Sequence, residues 1–147
     1  MSEGQIEPET DAALTTQLQG VIDDFDCVAG TIHLVDGAET LTLAAQVNIP
    51  EVVLEKTRTI PFGKGIAGLA AQQVEPVEVC NLQTDDSGIA EKGARDTGME
   101  GSLAAPMLDA EGGLVGVIGV AKPDAYDFSD EEHEQLIEAG KRVAAEL

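Results

Sequence analysis

The chain has 147 residues and a net charge of −20, from 28 Asp and Glu against 8 Lys and Arg, with two Cys, no Trp, one Tyr and three Phe. At this size one domain removes roughly 68–70% of the unfolded chain's surface from water, and 43% apolar residues fill one core without a disulfide or metal staple. A field of this sign repels phosphate backbones and anionic headgroups, so neither nucleic acid nor membrane is an expected partner; no apolar run approaches the ~20 residues of a membrane span, and the acidic start does not read as a signal peptide.

Residues 1–10 read as a flexible acidic tail and residues 11–147 as a single domain. Asp11 to Phe25 carries Leu14, Leu18, Val21 and Phe25 on one stripe of an amphipathic helix. Cys27 to Val35 reads as a strand, and Asp36-Gly37 supplies turn chemistry before the alternating Thr40 to Val47, which makes a hairpin. Pro50 ends that strand; Glu51 to Lys56 fits one helical turn before an extended Thr57 to Phe62. Gly63-Lys-Gly65-Ile-Ala-Gly68 then runs into a short helix, Leu69 to Gln73, and Val77 to Leu82 reads as a strand. The polar Gln83 to Gly98 is a long connection of the functional or mobile kind, with a helical turn around Ile89 to Arg95. Ser102 to Leu108 and Leu114 to Ala121 form a second hairpin through Asp109 to Gly113, and the all-apolar second strand suits a central position. Ser129 with Glu132 three residues on is a capping box at the start of a final helix whose stripe is Leu136, Gly140, Val143 and Leu147.

This succession is α+β: one antiparallel sheet with the N- and C-terminal helices on one face and residues 48–76 and 83–101 left to cover the other, where a small-molecule pocket can form. The glycines at 63, 65 and 68 match GxGxxG, but Pro76 limits the following helix to about two turns and the hairpins predict antiparallel pairing, so they read as a tight turn and a close helix approach rather than a dinucleotide loop. Cys27 and Cys80 stand far apart with no CxxC, which predicts free thiols in a reducing cytosol and no zinc site. His33 alternates within a strand and reads as a packed or hydrogen-bonded residue; His133, in the first turn of an acidic helix, reads as solvent-exposed; Asp85-Asp86 reads as loop. The acidity reads as a solvated surface, of which a high-salt cytoplasm is a special case.

Five blocks in order, Arg58-Thr-Ile60-Pro61-Phe-Gly63-Lys-Gly65-Ile-Ala-Gly68, Val77-Glu-Val-Cys-Asn81, Leu103-Ala-Ala-Pro106, Leu114-Val-Gly116-Val-Ile-Gly119-Val and Phe128-Ser129-Asp130-Glu131, resemble a GAF domain over about residues 11–147. The resemblance implies a PAS-like fold with a six-stranded antiparallel sheet, a cytoplasmic regulatory or sensory role, a ligand pocket on one sheet face and dimerisation through the terminal helices. One stand-alone subclass, the free methionine-(R)-sulfoxide reductases, is enzymatic. Its cysteines match Lys56, Ala67 and Arg95, and its pocket carboxylates match Ser102, Gly119 and Ala121, so no reductase chemistry is expected. Cyclic-nucleotide GAF domains resemble this chain at Lys122 and Phe128 but not at Ala121, Glu132 or His133. Bilin attachment would want a Cys followed by His, where Cys80 precedes Asn81, and haem would want an axial His, for which His33 is the sole strand candidate.

The expectation is therefore a non-enzymatic sensor without a cofactor, binding a small, weakly charged metabolite in a pocket lined by Val28, Gly30, Ile32, Ser102, Gly119 and Ala121, with Gly65 and Gly68 close by. The alternative is an interaction module with a vestigial pocket, a homodimer through Leu14, Leu18, Val21, Phe25, Leu136, Gly140, Val143 and Leu147, or one that docks a protein partner acting in trans.

Overall fold

The computed structural model describes residues 12–79 and 99–147. The acidic tail, Cys80, Asp85-Asp86 and the helical turn around Ile89 to Arg95 lie outside the described residues. In order come α1 (Ala12–Asp24), β1 (Ala29–Val35), β2 (Thr40–Val47), α2 (Glu51–Thr57), β3 (Thr59–Pro61), α3 (Gly65–Gln73), β4 (Val77–Val79), β5 (Gly101–Leu108), β6 (Leu114–Lys122) and α4 (Asp130–Ala145). The strands form one sheet in the order β3-β2-β1-β6-β5-β4, with every pair antiparallel.

Both hairpins close on the chemistry their sequences supply. Gly37 takes φ +81° in the first, where the Asp36 amide donates to Thr40 O at 2.8 Å. In the second, Asp109 Oδ1 accepts from the Glu111 and Gly113 amides at 3.0 and 2.8 Å, while Gly112 adopts φ +83°. The apolar β6 lies between β1 and β5, inside the sheet.

One face of the sheet packs under α1 and α4. Leu14, Leu18, Val21 and Ile22 from α1 and Leu136, Ala139 and Val143 from α4 close over Ile32, Leu103, Ala105, Met107, Ile118 and Val120 in a single core. Burial of each large aliphatic side chain contributes roughly 1.5–3 kcal/mol. Gly140 lets α4 approach β5 closely, since a Cβ there would stand 3.1 Å from Met107 Cγ and 3.4 Å from Pro106 O. Of the residues expected at a dimer surface, Leu14, Leu18, Val21, Phe25, Leu136, Gly140 and Val143 are all buried within one chain, and only Leu147 is exposed. Turned outward, those stripes would leave the apolar sheet face in water.

α4 starts as its sequence predicts, with Ser129 Oγ accepting from the Glu132 amide at 3.1 Å and Glu132 Oε1 accepting from the Ser129 amide at 2.8 Å. α1 ends on a distant cation instead of a local one: Lys122 Nζ donates to Phe25 O at 2.9 Å and Asp26 O at 3.0 Å, beside the left-handed Asp26.

The second face is covered by α2 and α3. Ala70 and Ala71 of α3 pack on Leu41, Val77, Ala104 and Val117. α3 begins at Gly65, four residues earlier than the apolar pattern suggested, and ends at the left-handed Val74, two residues before Pro76.

Candidate ligand-binding site

The glycine-rich segment between β3 and α3 is explained by its backbone. Gly63 and Gly65 take φ +86° and +70°, a region that side chains disfavour. At Gly68 a Cβ would lie 2.6 Å from Pro61 O. The Gly63 amide donates to Gly68 O at 2.7 Å, which folds the turn onto the helix it precedes. The result is a tight turn and a close approach that bring the first turn of α3 to the edge of a cavity.

That cavity has a volume of about 390 Å³. Its floor is the sheet, through Thr31 and His33 of β1, Ser102 and Ala104 of β5, and Val117, Gly119 and Ala121 of β6; Val53, Lys56 and Thr57 of α2, Ile60 of β3 and Lys64 to Ala67 form the opposing side. Lys56 and Lys64, both exposed, are the only formally charged residues among the described lining residues. In a chain of net charge −20, the described lining holds two cations and no carboxylate.

Five residues expected at the pocket, Gly30, Gly65, Ser102, Gly119 and Ala121, are among those that line it. Val28, Ile32 and Gly68 are not. Val28 precedes β1 and is exposed, Gly68 is taken up by its contact with Pro61, and Ile32 is fully buried in the core under the helices. Side chains alternate along a strand, so with Ile32 under α1 its neighbours Thr31 and His33 face the cavity. Gly30 borders the cavity but would direct a Cβ at Ile22 of α1, 3.0 Å from its Cδ1. The missed signal was register. Gly119 pairs with Thr31, and residues paired across a sheet share a face.

His33 is 2% exposed and sits where β1 shifts register against β2, at an irregularity between Ile32 and His33. Its Nε2 lies 2.8 Å from Thr57 O, near the C-terminal end of α2. A carbonyl only accepts, so Nε2 carries the proton and satisfies one of the carbonyls that a helix end leaves open. Thr57 is itself held by its hydroxyl, which donates to Val53 O at 2.9 Å. Burial pushes the imidazole pKa down to about 4, against a smaller opposing effect of the Thr57 bond. The ring is therefore neutral at pH 7, and its Nδ1 is a buried acceptor without a hydrogen-bond partner among the described residues.

Cys27 belongs to the opposite side of the sheet, in the core under the helices, with Sγ 3.6 Å from Phe25 O. Burial pushes its thiol up to about 11, which keeps it protonated and poorly nucleophilic. His133 departs from expectation. Rather than standing in solvent it is half-buried, with Nε2 3.0 Å from Glu78 Oε1, while Glu78 Oε2 accepts from the Phe128 amide at 2.6 Å. This cluster ties β4 to the start of α4 and lies outside the cavity lining. Among the described residues no group of three His, Cys, Asp or Glu could hold a metal ion, and no helix is long and apolar enough to cross a membrane.

A six-stranded antiparallel sheet with terminal helices on one face and a cavity on the other defines the class: an α+β domain with a single central sheet. The chain belongs to the GAF domain family, whose pattern matches residues 8–145. Free methionine-R-sulfoxide reductase from Neisseria meningitidis, solved with its substrate, superposes with a TM-score of 0.73 at 21% identity, covering 91% of this chain and 75% of that one. A domain of a sensor histidine kinase protein from Sinorhizobium meliloti gives 0.71 at 17% identity, covering 98% and 92%. The GAF domain of a phosphoenolpyruvate-protein phosphotransferase from Coxiella burnetii gives 0.72 at 18% identity, covering 96% and 82%. At these identities the likeness carries the fold, which an enzyme and signalling domains share. No curated protein matches the sequence.

Proposed function

We propose that this GAF domain is a non-enzymatic regulatory module that binds a small organic molecule in the cavity between the sheet and the α2–α3 segment. The observation that carries the reading is the cavity itself: about 390 Å³, within the range of small-molecule sites, with a largely apolar lining and few polar groups. Thr31, Thr57, Thr59 and Ser102 offer hydroxyls. The reductase reaction lacks support here. Lys56 and Ala67, at two of the positions that match its cysteines, line the cavity; no cysteine is among the described lining residues; and Cys27 is buried on the far side of the sheet.

Native mass spectrometry of the full chain, freshly purified, tests the reading. The expected result is a reproducible extra mass on the folded protein that is absent after denaturation and lost in Ser102→Phe, whose ring would fill the cavity beside Ala121, the cross-strand partner of Ser102. A folded protein that is always bare, and stays bare when incubated with a metabolite extract, would sink the binding role. Methionine formed from free methionine-(R)-sulfoxide above the buffer blank would overturn the non-enzymatic part.

A further inference from the structure

We propose that Nδ1 of His33 is the polar anchor of the cavity, so that its ligand presents an N–H or O–H donor to β1. The inference rests on the binding role above and names the chemistry that role requires.

Buried acceptors in folded proteins are paired, and an unpaired one calls for an explanation. His33 is 2% exposed, lines the cavity, and is the only described residue with a buried side-chain nitrogen or oxygen lacking a partner. Its orientation is determined by Thr57. Flipping the ring would replace Nε2 by a carbon at Thr57 O and leave that carbonyl open, so the Nε2–H tautomer and the position of Nδ1 follow from one 2.8 Å bond. The hydroxyls in the lining rotate to donate or accept as a ligand demands. Nδ1 of the neutral ring has no such choice: it only accepts. It is the lining group that discriminates most sharply between ligands, because a buried polar atom left unpaired rejects analogues that lack the matching group. The irregularity in the β1–β2 ladder beside His33 is of the kind that re-aims side chains next to binding sites.

The test uses matched fragments on the full chain: indole against 1-methylindole, phenol against anisole, and 3-methylindole to control for the bulk of the added methyl. Ligand-observed NMR reads affinity, and long-range 1H–15N correlation reads the imidazole nitrogens, with the half-exposed His133 as internal reference. Indole, 3-methylindole and phenol are expected to bind roughly tenfold or more tighter than the capped members and to shift the His33 Nδ1 resonance. In His33→Gln, whose amide can still donate to Thr57 O but offers no acceptor at the Nδ1 position, the preference falls to about twofold or less; His33→Asn, which places a carbonyl oxygen near that position, restores part of it. Equal affinity for both members of each pair, with an unmoved Nδ1 resonance, would mean that water satisfies the nitrogen, and would overturn the proposal while leaving the binding role intact. Binding of no fragment at all would overturn the proposal, while the binding role is decided separately by the native mass spectrum. If His33→Gln does not fold, the wild-type pairs and the Nδ1 resonance still decide.

Discussion

Keeping His33 neutral inside the protein makes its stability depend on pH in a direction that can be worked out. The folded-state pKa, about 4, lies below the ordinary 6.5, so between those values the unfolded chain binds a proton that the folded chain does not. Stability is fully present above pH 6.5 and is lost as pH falls toward 4, by roughly 2–3 kcal/mol over that window. His33→Gln, which does not titrate, lacks this component. Urea denaturation of both proteins at several pH values in the window should show the wild type losing that much more than the variant; parallel curves would mean that the ring protonates as readily folded as unfolded. The sequence showed that His33 sits in a strand and is packed, but not that it faces the cavity. Parity along β1 depends on which neighbour α1 covers, and that is a tertiary choice.

The start of α4 was readable in advance because a capping box is local: Ser129 and Glu132 find each other within one turn. The structure adds a partner from just before the helix. Tyr126 Oη donates to both Glu132 carboxylate oxygens, at 3.0 and 2.9 Å, and its ring lies under Lys122 Nζ at 4.4 Å. Burial acts to raise the Glu132 pKa, but the hydrogen bonds from Ser129 and Tyr126, aided by the Lys122 charge, hold it below the usual carboxylate range. Ser129→Ala should cost about 1 kcal/mol in chemical denaturation. Glu132→Ala should cost more, since it strips both the Ser129 amide and the Tyr126 hydroxyl of their acceptor; equal costs would show that Tyr126 contributes nothing. Elements whose signals are local, the two hairpins and the terminal helices, came within a few residues of their observed bounds. The stripes of α1 and α4 are the buried faces the sequence marked, but what they pack on was not legible, and neither was the start of α3. Apolar periodicity alone does not tell an N-terminal helical turn built on glycines from a loop, nor a face that packs on its own sheet from one that meets a second copy.

Twenty net negative charges on 147 residues must repel one another, and the exposed ion pairs among the described residues, Arg58 with Glu51 at 4.0 Å and Lys141 with Glu138 at 3.4 Å, are of the weak surface kind. Screening shortens from about 10 Å at 0.1 M salt to about 3 Å at 1 M. Raising salt across that range should therefore raise the thermal midpoint. A flat or falling midpoint would show that the self-repulsion is already dissipated in water. The charge was fully legible from composition, whereas the placing of Lys56 and Lys64 among the described lining residues depends on how α2 and α3 fold over the sheet.

β3 forms one border of the sheet and is only three residues long, ending in Pro61, which has no amide hydrogen to offer a neighbour. Growth of fibrils and of strand-swapped assemblies starts from a long border with unpaired amides and carbonyls, a template on which another strand can zip. Here that template is cut short, by α2 on one side and by the glycine turn into α3 on the other, so the segment that closes the cavity also blunts this border against sheet-to-sheet polymerisation.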